Sequence, residues 1–133
     1  MNDDLEFLRA RLPGYRGYGE EAERHDSDMR VRAFVGKELT DARSRLGETV
    51  EAAQTTFDAV LLRCMFTDQV FVKKFEHADL DAAMLAGLVR ADRTLVELGG
   101  RLAECAAAGL PAILAEINVQ LDYRRSPAPL ATS

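Results

Sequence analysis

The sequence predicts an all-α protein: a three- to four-helix bundle or a long helical hairpin, preceded by a short amphipathic helix. Two long runs of apolar residues recur at steps of three and four, which is typical of helices packed along a seam. A third stretch, 58–75, is apolar on nearly every side of a helix, as expected at the centre of a bundle. The chain has 133 residues, of which 47% are hydrophobic and 29% charged. This composition favours one globular domain, which we place at residues 1–124.

The first predicted element is a short amphipathic helix over residues 3–12. Leu5 and Leu8 lie on one side of it, and Pro13 ends it because proline lacks a backbone donor. A helix this short is unstable alone, so it must dock on its own bundle, on a partner or on a lipid surface. A membrane anchor is the least favoured of these, because such a helix is longer and carries a basic polar face.

A glycine-rich loop with two tyrosines follows, over residues 13–19. Its three glycines and one proline disfavour a regular helix or strand. The tyrosines indicate an ordered turn whose rings pack on a surface while their hydroxyls stay in water. The loop either clamps the first helix to the bundle or presents an aromatic surface to a protein partner. The candidate partner-binding residues are Leu5, Leu8, Tyr15, Arg16 and Tyr18.

Residues 20–75 are predicted to form one long helix or two helices. Apolar residues step by three and four from Val31 to Phe57, and the seam passes through Gly47 in register. Glycine costs about 1 kcal/mol relative to alanine inside a helix, so Gly47 is a weak point. A single helix over this range would be about 80 Å long at a rise of 1.5 Å per residue. Therefore either a turn lies between Gly47 and Thr56, or the protein is elongated and shares its length with other subunits.

The stretch 58–75 is the most apolar part of the chain, and we expect the other segments to cover it. Charged residues interrupt it, so it does not qualify as a membrane span. Thr67 and Asp68 mark a possible break. Residues 69–75 also suit a strand, although the helix is favoured.

The most regular pattern predicts a helix over residues 79–108. Asp79 is the expected N-cap, and Gly109 is expected to end the helix. The pair Gly99-Gly100 lies within this helix. It indicates either a kink or a close approach of another backbone.

The last predicted helix covers residues 111–124. Pro111 suits its first position, and the short connection predicts that the last two helices are antiparallel neighbours. Residues 125–133 are polar and contain prolines, which predicts a mobile tail.

The overall charge and the cysteines narrow the class of function. The net charge of −5 argues against nucleic-acid binding, which needs clustered basic residues. The first residues lack the features of a signal peptide, so we expect a cytoplasmic protein. Cys64 and Cys105 lie among apolar positions and are expected to be buried free thiols in a reducing compartment. No cofactor is expected.

Two clusters of histidine and aspartate offer an alternative, a ligand- or metal-binding bundle. The clusters are His25, Asp26 and Asp28, and His77, Asp79 and Asp81. Helical bundles bind metals with such ligands, but the Glu-x-x-His pairs of di-iron bundles do not occur here. Both clusters lie where helices are predicted to begin, so capping also explains the aspartates. We assign no metal ligand and no catalytic residue, because no phosphate-binding loop, nucleophile elbow or zinc motif occurs.

Three segments carry a resemblance to known proteins. They are LPGYRGY, HDSDMRVRAF and KFEHADLDAAMLAGLVRADRTLVELGGRL. In this order they resemble small, all-helical bacterial proteins without an assigned function, over most of the chain. The resemblance implies a helical fold and no particular chemistry.

The function expected from the sequence is that of a non-enzymatic helical interaction module, an adaptor or scaffold. The two apolar seams favour self-association through helix packing, so a homo-oligomer is expected, and a protein partner is possible. Peripheral membrane association through the first twelve residues is a further alternative.

Overall fold

The computed structural model describes residues 2–47, 51 and 53–125, and it confirms the all-α fold. No strand occurs in this part of the chain. The helices are α1 (Asn2–Arg11), α2 (Glu21–Leu46), α3 (Gln54–Met65), α4 (Gln69–Phe75), α5 (Ala82–Leu102) and α6 (Leu110–Arg125). A 3-10 turn, Ala107–Gly109, precedes α6.

The two predicted seams pack against each other within one chain. Val35 and Leu39 of α2 and Leu88 and Leu95 of α5 are buried, and α5 also packs against α1 and α6. On its other side, α2 packs against α3, which in turn contacts α6. Because the seams are occupied inside the chain, they no longer provide a reason for self-association.

The range 20–75 contains three helices. Of the two alternatives, the single long helix is wrong, and the predicted break after Gly47 separates α2 from α3. Helix α2 ends at Leu46, and Gly47 adopts a φ of 58°, a left-handed conformation that favours glycine. Residues 48–50 and 52 lie outside the described part of the chain. A second break follows α3, where the Asp68 side chain accepts a hydrogen bond of 3.1 Å from the Phe71 amide and caps α4.

Helix α5 differs from its prediction at both ends. Its N-cap is Asp81, which accepts a 2.8 Å hydrogen bond from the Met84 amide, and not Asp79. It ends at Leu102, before the predicted stop. Within α5, the close approach at Gly99 is made by an aromatic ring, since an added Cβ would lie 2.7 Å from the Phe34 side chain. Residues 126–133, which include most of the predicted tail, lie outside the described residues.

Four arginines of α2 hold the C-terminal ends of four other helices. Three of the guanidinium groups donate to carbonyl oxygens in the last turn of a helix, which have no intrahelical partner, and their charge complements the helix dipole there. The fourth donates to the Pro13 carbonyl just after α1. The contacts are Arg30 to Pro13 after α1 (2.6 Å), Arg32 to Cys64 in α3 (3.2 Å), Arg24 to Phe75 in α4 (2.7 Å) and Arg45 to Leu102 in α5 (2.7 Å). Helix α2 therefore positions the elements that form the candidate site.

Candidate interaction surface

The predicted contact residues do not form an exposed surface. Leu8 is fully buried, and Tyr15 and Tyr18 are each only 1% exposed. Leu5 is partly buried, while the Arg16 side chain is exposed and forms a 3.1 Å ion pair with Glu23. The prediction of an exposed aromatic loop is therefore wrong, because the loop packs into the chain's own core. Leu8 of α1 and Leu12 after it are buried in the chain's own core, so neither side chain is exposed at the surface.

Both tyrosines bind one buried carboxylate. The Tyr15 hydroxyl donates a 2.7 Å hydrogen bond to Asp92 Oδ2, and the Tyr18 hydroxyl donates to the same oxygen. The rings of Tyr15 and Tyr18 meet edge to face, with centroids 6.4 Å apart. The loop thus clamps α1 to the bundle, with its hydroxyls inside the core and not in water.

Arg124 of α6 joins this carboxylate to a second one on α2. Its guanidinium donates to Asp28 Oδ1 and, over 3.1 Å, to the Tyr18 hydroxyl. Arg124 Nε also lies 2.9 Å from Asp92 Oδ1, an ion pair without hydrogen-bond geometry. Arg32 donates to the other Asp28 oxygen over 2.9 Å.

These six residues form what we call the buried polar cluster. Its members are Tyr15, Tyr18, Asp28, Arg32, Asp92 and Arg124, all of them buried. The formal charges of the two aspartates and the two arginines sum to zero, and their mutual attraction offsets part of the cost of removing four charges from water. Burial raises the pKa of Asp92 to about 6, against the opposing effects of Arg124 and the two hydroxyls. Burial also raises the pKa of Tyr15 and of Tyr18, so both stay protonated and keep their donor role.

The two histidine-aspartate clusters do not assemble as ligand sites. Asp28 belongs to the buried polar cluster, whereas His25 beside it on α2 is exposed. His77 lies 2.9 Å from Glu21, and this carboxylate raises the pKa of the imidazole. Among the described residues, no three histidine, cysteine or acidic side chains are placed to hold a metal ion.

Three predicted contact residues do border one cleft, between α1, the loop and the start of α5. Leu5, Arg16 and Tyr18 line it, and its volume is about 470 Å³. The rim arginines are in ion pairs, Arg16 with Glu23 and Arg90 with Asp4 at 2.8 Å. Both rim arginines therefore have a carboxylate partner within the chain.

Large apolar side chains are exposed where α3 ends and α4 begins. Met65 and Phe66 are 64% and 63% exposed, and Leu62 lies on the same face of the helix at a spacing of three and four. We call this region the α3 surface. Its residues are Met29, Leu62, Met65, Phe66 and Val70, each about half exposed or more.

A groove between α2 and α3 adjoins the α3 surface. It has a volume of about 480 Å³, and Met29 and Met65 line it together with Leu61 and Cys64. Gly36 also lines the groove. A Cβ added there would lie 3.5 Å from Cys64 Cβ and would occupy part of the space between the two helices. Burial raises the pKa of the Cys64 thiol to about 11, so the thiol is protonated at neutral pH and packs as an apolar group.

Sequence reasoning missed the α3 surface because it interpreted stretch 58–75 as a covered central element. Phe57, Val60 and Cys64 do face the core, but the opposite face of α3 carries the exposed residues. A helix that is apolar on both faces can be covered on both sides by its own chain, or it can leave one face exposed for a partner. The Thr67-Asp68 break was the available signal, because it marks an end of the helix near solvent.

Comparisons with family models, curated proteins and solved structures find no match for this chain. The resemblance to small bacterial helical proteins therefore stays a prediction. Of the helices described, none combines the length and the apolar character needed to cross a membrane.

Proposed function

We propose that this protein is a non-enzymatic helical interaction module, an adaptor or scaffold that binds a protein partner through the α3 surface. The observation that carries the proposal is the convergence of exposed methionines, a phenylalanine and aliphatic side chains beside an apolar groove. Contiguous exposed apolar patches on soluble proteins are typical of sites that bind other proteins.

The composition of the α3 surface suits this role. Methionine and aromatic residues are enriched at the cores of protein interfaces. Met29 and Met65 at the mouth of the groove are unbranched and polarizable, so they adapt to the shape of an incoming side chain. Arg32 of α2 donates to the Cys64 and Phe66 carbonyls at the end of α3, which fixes the two helices that form the groove and lowers the ordering cost on binding. We expect the protein to act in the cytoplasm, where the free thiols Cys64 and Cys105 stay reduced.

Photo-crosslinking in living cells tests the proposal. Benzoylphenylalanine replaces Phe66 in the full chain and, as a matched control, Val119, which is 58% exposed on α6 and does not line the groove. We expect discrete covalent protein adducts from position 66 and few from position 119. Equal adduct patterns from the two positions would refute the proposal.

A further inference from the structure

We infer that the α3 surface binds a second copy of this chain, in a twofold arrangement that places Phe66 of each copy in the α2–α3 groove of the other. This inference rests on the proposed function and names the partner. It starts from the presence of a recess and of projecting side chains on the same side of the molecule. Met65 lines the groove and Phe66 follows it in the chain, with 63% of Phe66 exposed.

A surface that carries both a projection and a recess satisfies the geometric condition for a twofold interface. In such an interface the same patch serves both subunits, so one contact generates its reciprocal. If Phe66 of one copy enters the groove of the second, symmetry places the second Phe66 in the first groove. The groove volume of about 480 Å³ falls within the range of sites that enclose small ligands, and leaves room for an aromatic side chain.

The charges that line the groove also favour a second copy. Lys37 and Asp41 of α2 line it and form a 2.7 Å ion pair, so the rim carries one exposed charge of each sign. The third charged residue of the lining, Arg32, is buried and paired with Asp28. A rim of a single sign would select an oppositely charged partner. A mixed rim is complementary to itself, because a twofold axis can bring Lys37 of one copy toward Asp41 of the other.

Two variants separate the halves of this contact. Phe66→Ser removes the projecting ring. Ala33→Glu leaves the ring in place and sets a carboxylate at the mouth of the groove, where Ala33 is exposed. A glutamate at position 33 precedes Lys37 by four residues, a spacing that favours the helix, so this variant is expected to fold. Val119→Ser is the control for the loss of an exposed apolar side chain. Circular dichroism and thermal melting establish that each variant is folded before its mass is measured.

Light scattering across a concentration series gives the result. We expect the wild type and Val119→Ser to form dimers of twice 14.7 kDa. Phe66→Ser and Ala33→Glu should each weaken dimerisation by ~30-fold or more, the loss typical of a central aromatic contact. Mixing the two variants should restore part of the dimer. The Phe66 ring of the Ala33→Glu copy can then enter the open groove of the Phe66→Ser copy.

Each other outcome overturns the inference in a recognisable way. A wild type that stays monomeric at its highest soluble concentration excludes the second copy. The proposed function then still stands if position 66 crosslinks to a different protein. Variants that dimerise like the wild type place any dimer contact elsewhere on the molecule. A mixture no better than its components shows that the contact is not reciprocal. Only equal crosslinking from positions 66 and 119 defeats the proposed function itself.

Discussion

Two regions of this protein invert the usual distribution of polar and apolar groups. In the buried polar cluster, Asp28, Asp92 and Arg124 are enclosed completely between α2, α5 and α6. At the α3 surface, Met65 and Phe66 face water. The buried charges are tolerated because each has a partner of opposite charge. The exposed apolar side chains, in contrast, are not covered by any other part of the described chain. The first region is therefore part of the packed interior, whereas the apolar side chains of the second lie in solvent.

Among the polar groups, the largest effect should come from removing the charge at the centre of the buried polar cluster. Arg124→Ala leaves Asp28 without one of its two arginines and leaves Asp92 with its tyrosine hydroxyls alone. Breaking a buried ion pair in this way typically lowers the free energy of unfolding by about 3–5 kcal/mol. Urea denaturation followed by circular dichroism measures the loss.

The neighbouring arginine provides the control for this variant. Arg125 pairs with Asp68 over 2.8 Å, and its side chain is 38% exposed. Solvent screens the Arg125 end of this pair, and Asp68, which is 8% exposed, keeps its hydrogen bond from the Phe71 amide, so Arg125→Ala should cost only about 1 kcal/mol. Equal losses from the two substitutions would show that the buried polar cluster contributes no more than a partly exposed pair.

The second-largest loss of stability among the polar groups should come from removing the tyrosine hydroxyls. Tyr18→Phe removes a donor to Asp92 and the acceptor used by Arg124, so it should cost about 1.5–3 kcal/mol, as expected for hydrogen bonds to charged groups. Tyr15→Phe removes only a donor and should cost less. Since both hydroxyls bind the same Asp92 oxygen, the double variant should deviate from additivity by at least about 0.5 kcal/mol. Strict additivity in chemical denaturation would contradict this shared contact.

The pH dependence of stability tests the charge state of the same cluster. The folded pKa of Asp92 is about 6, above its unfolded value, so the folded state binds the proton more tightly. The free energy of unfolding should therefore rise as the pH falls from above 6 to near 4. Asp4 and Asp68 act in a separate, more acidic pH range. Their pKa values are lowered in the folded state, so the stability that they contribute is lost only as the pH falls below their unfolded pKa values.

Asp92→Asn is the variant that isolates this change. It should abolish the rise between pH 6 and pH 4 in urea titrations. His77 contributes in the same direction but at higher pH, because its raised pKa makes its stabilisation disappear only as the pH rises through that value. A rise that persists unchanged in Asp92→Asn would assign it to another group.

The fold was predictable where contacts follow local spacing. The seams of α2 and α5 recur every three or four residues, and packing within the chain uses that same spacing. Pro13 and Gly47 lie near the ends of helices for backbone reasons that a sequence displays directly. The break between α3 and α4 was recognisable in the sequence only from the two polar residues Thr67 and Asp68.

The buried polar cluster was not predictable, because its partners are remote in the chain. Arg124 and Asp28 are 96 residues apart, and Arg124 directly precedes the segment interpreted as a polar tail. An arginine beside a tail is expected in solvent, and only the packing of α6 between other helices encloses it. The α3 surface was missed for the opposite reason, because an apolar residue carries no indication of whether a neighbour covers it.

The smallest effect on stability should come from the α3 surface, where two phenylalanines provide a direct contrast. Phe71 is 2% exposed and packs against the Tyr18 ring, with centroids 5.8 Å apart, whereas Phe66 is 63% exposed. Phe71→Ala should cost about 3–5 kcal/mol, as usual for a buried aromatic ring. Phe66→Ala should change the free energy of unfolding by less than about 0.5 kcal/mol at concentrations where the protein is monomeric. A large loss from Phe66→Ala in dilute protein would mean that this ring maintains the fold, and the distinction between the two regions would then fail.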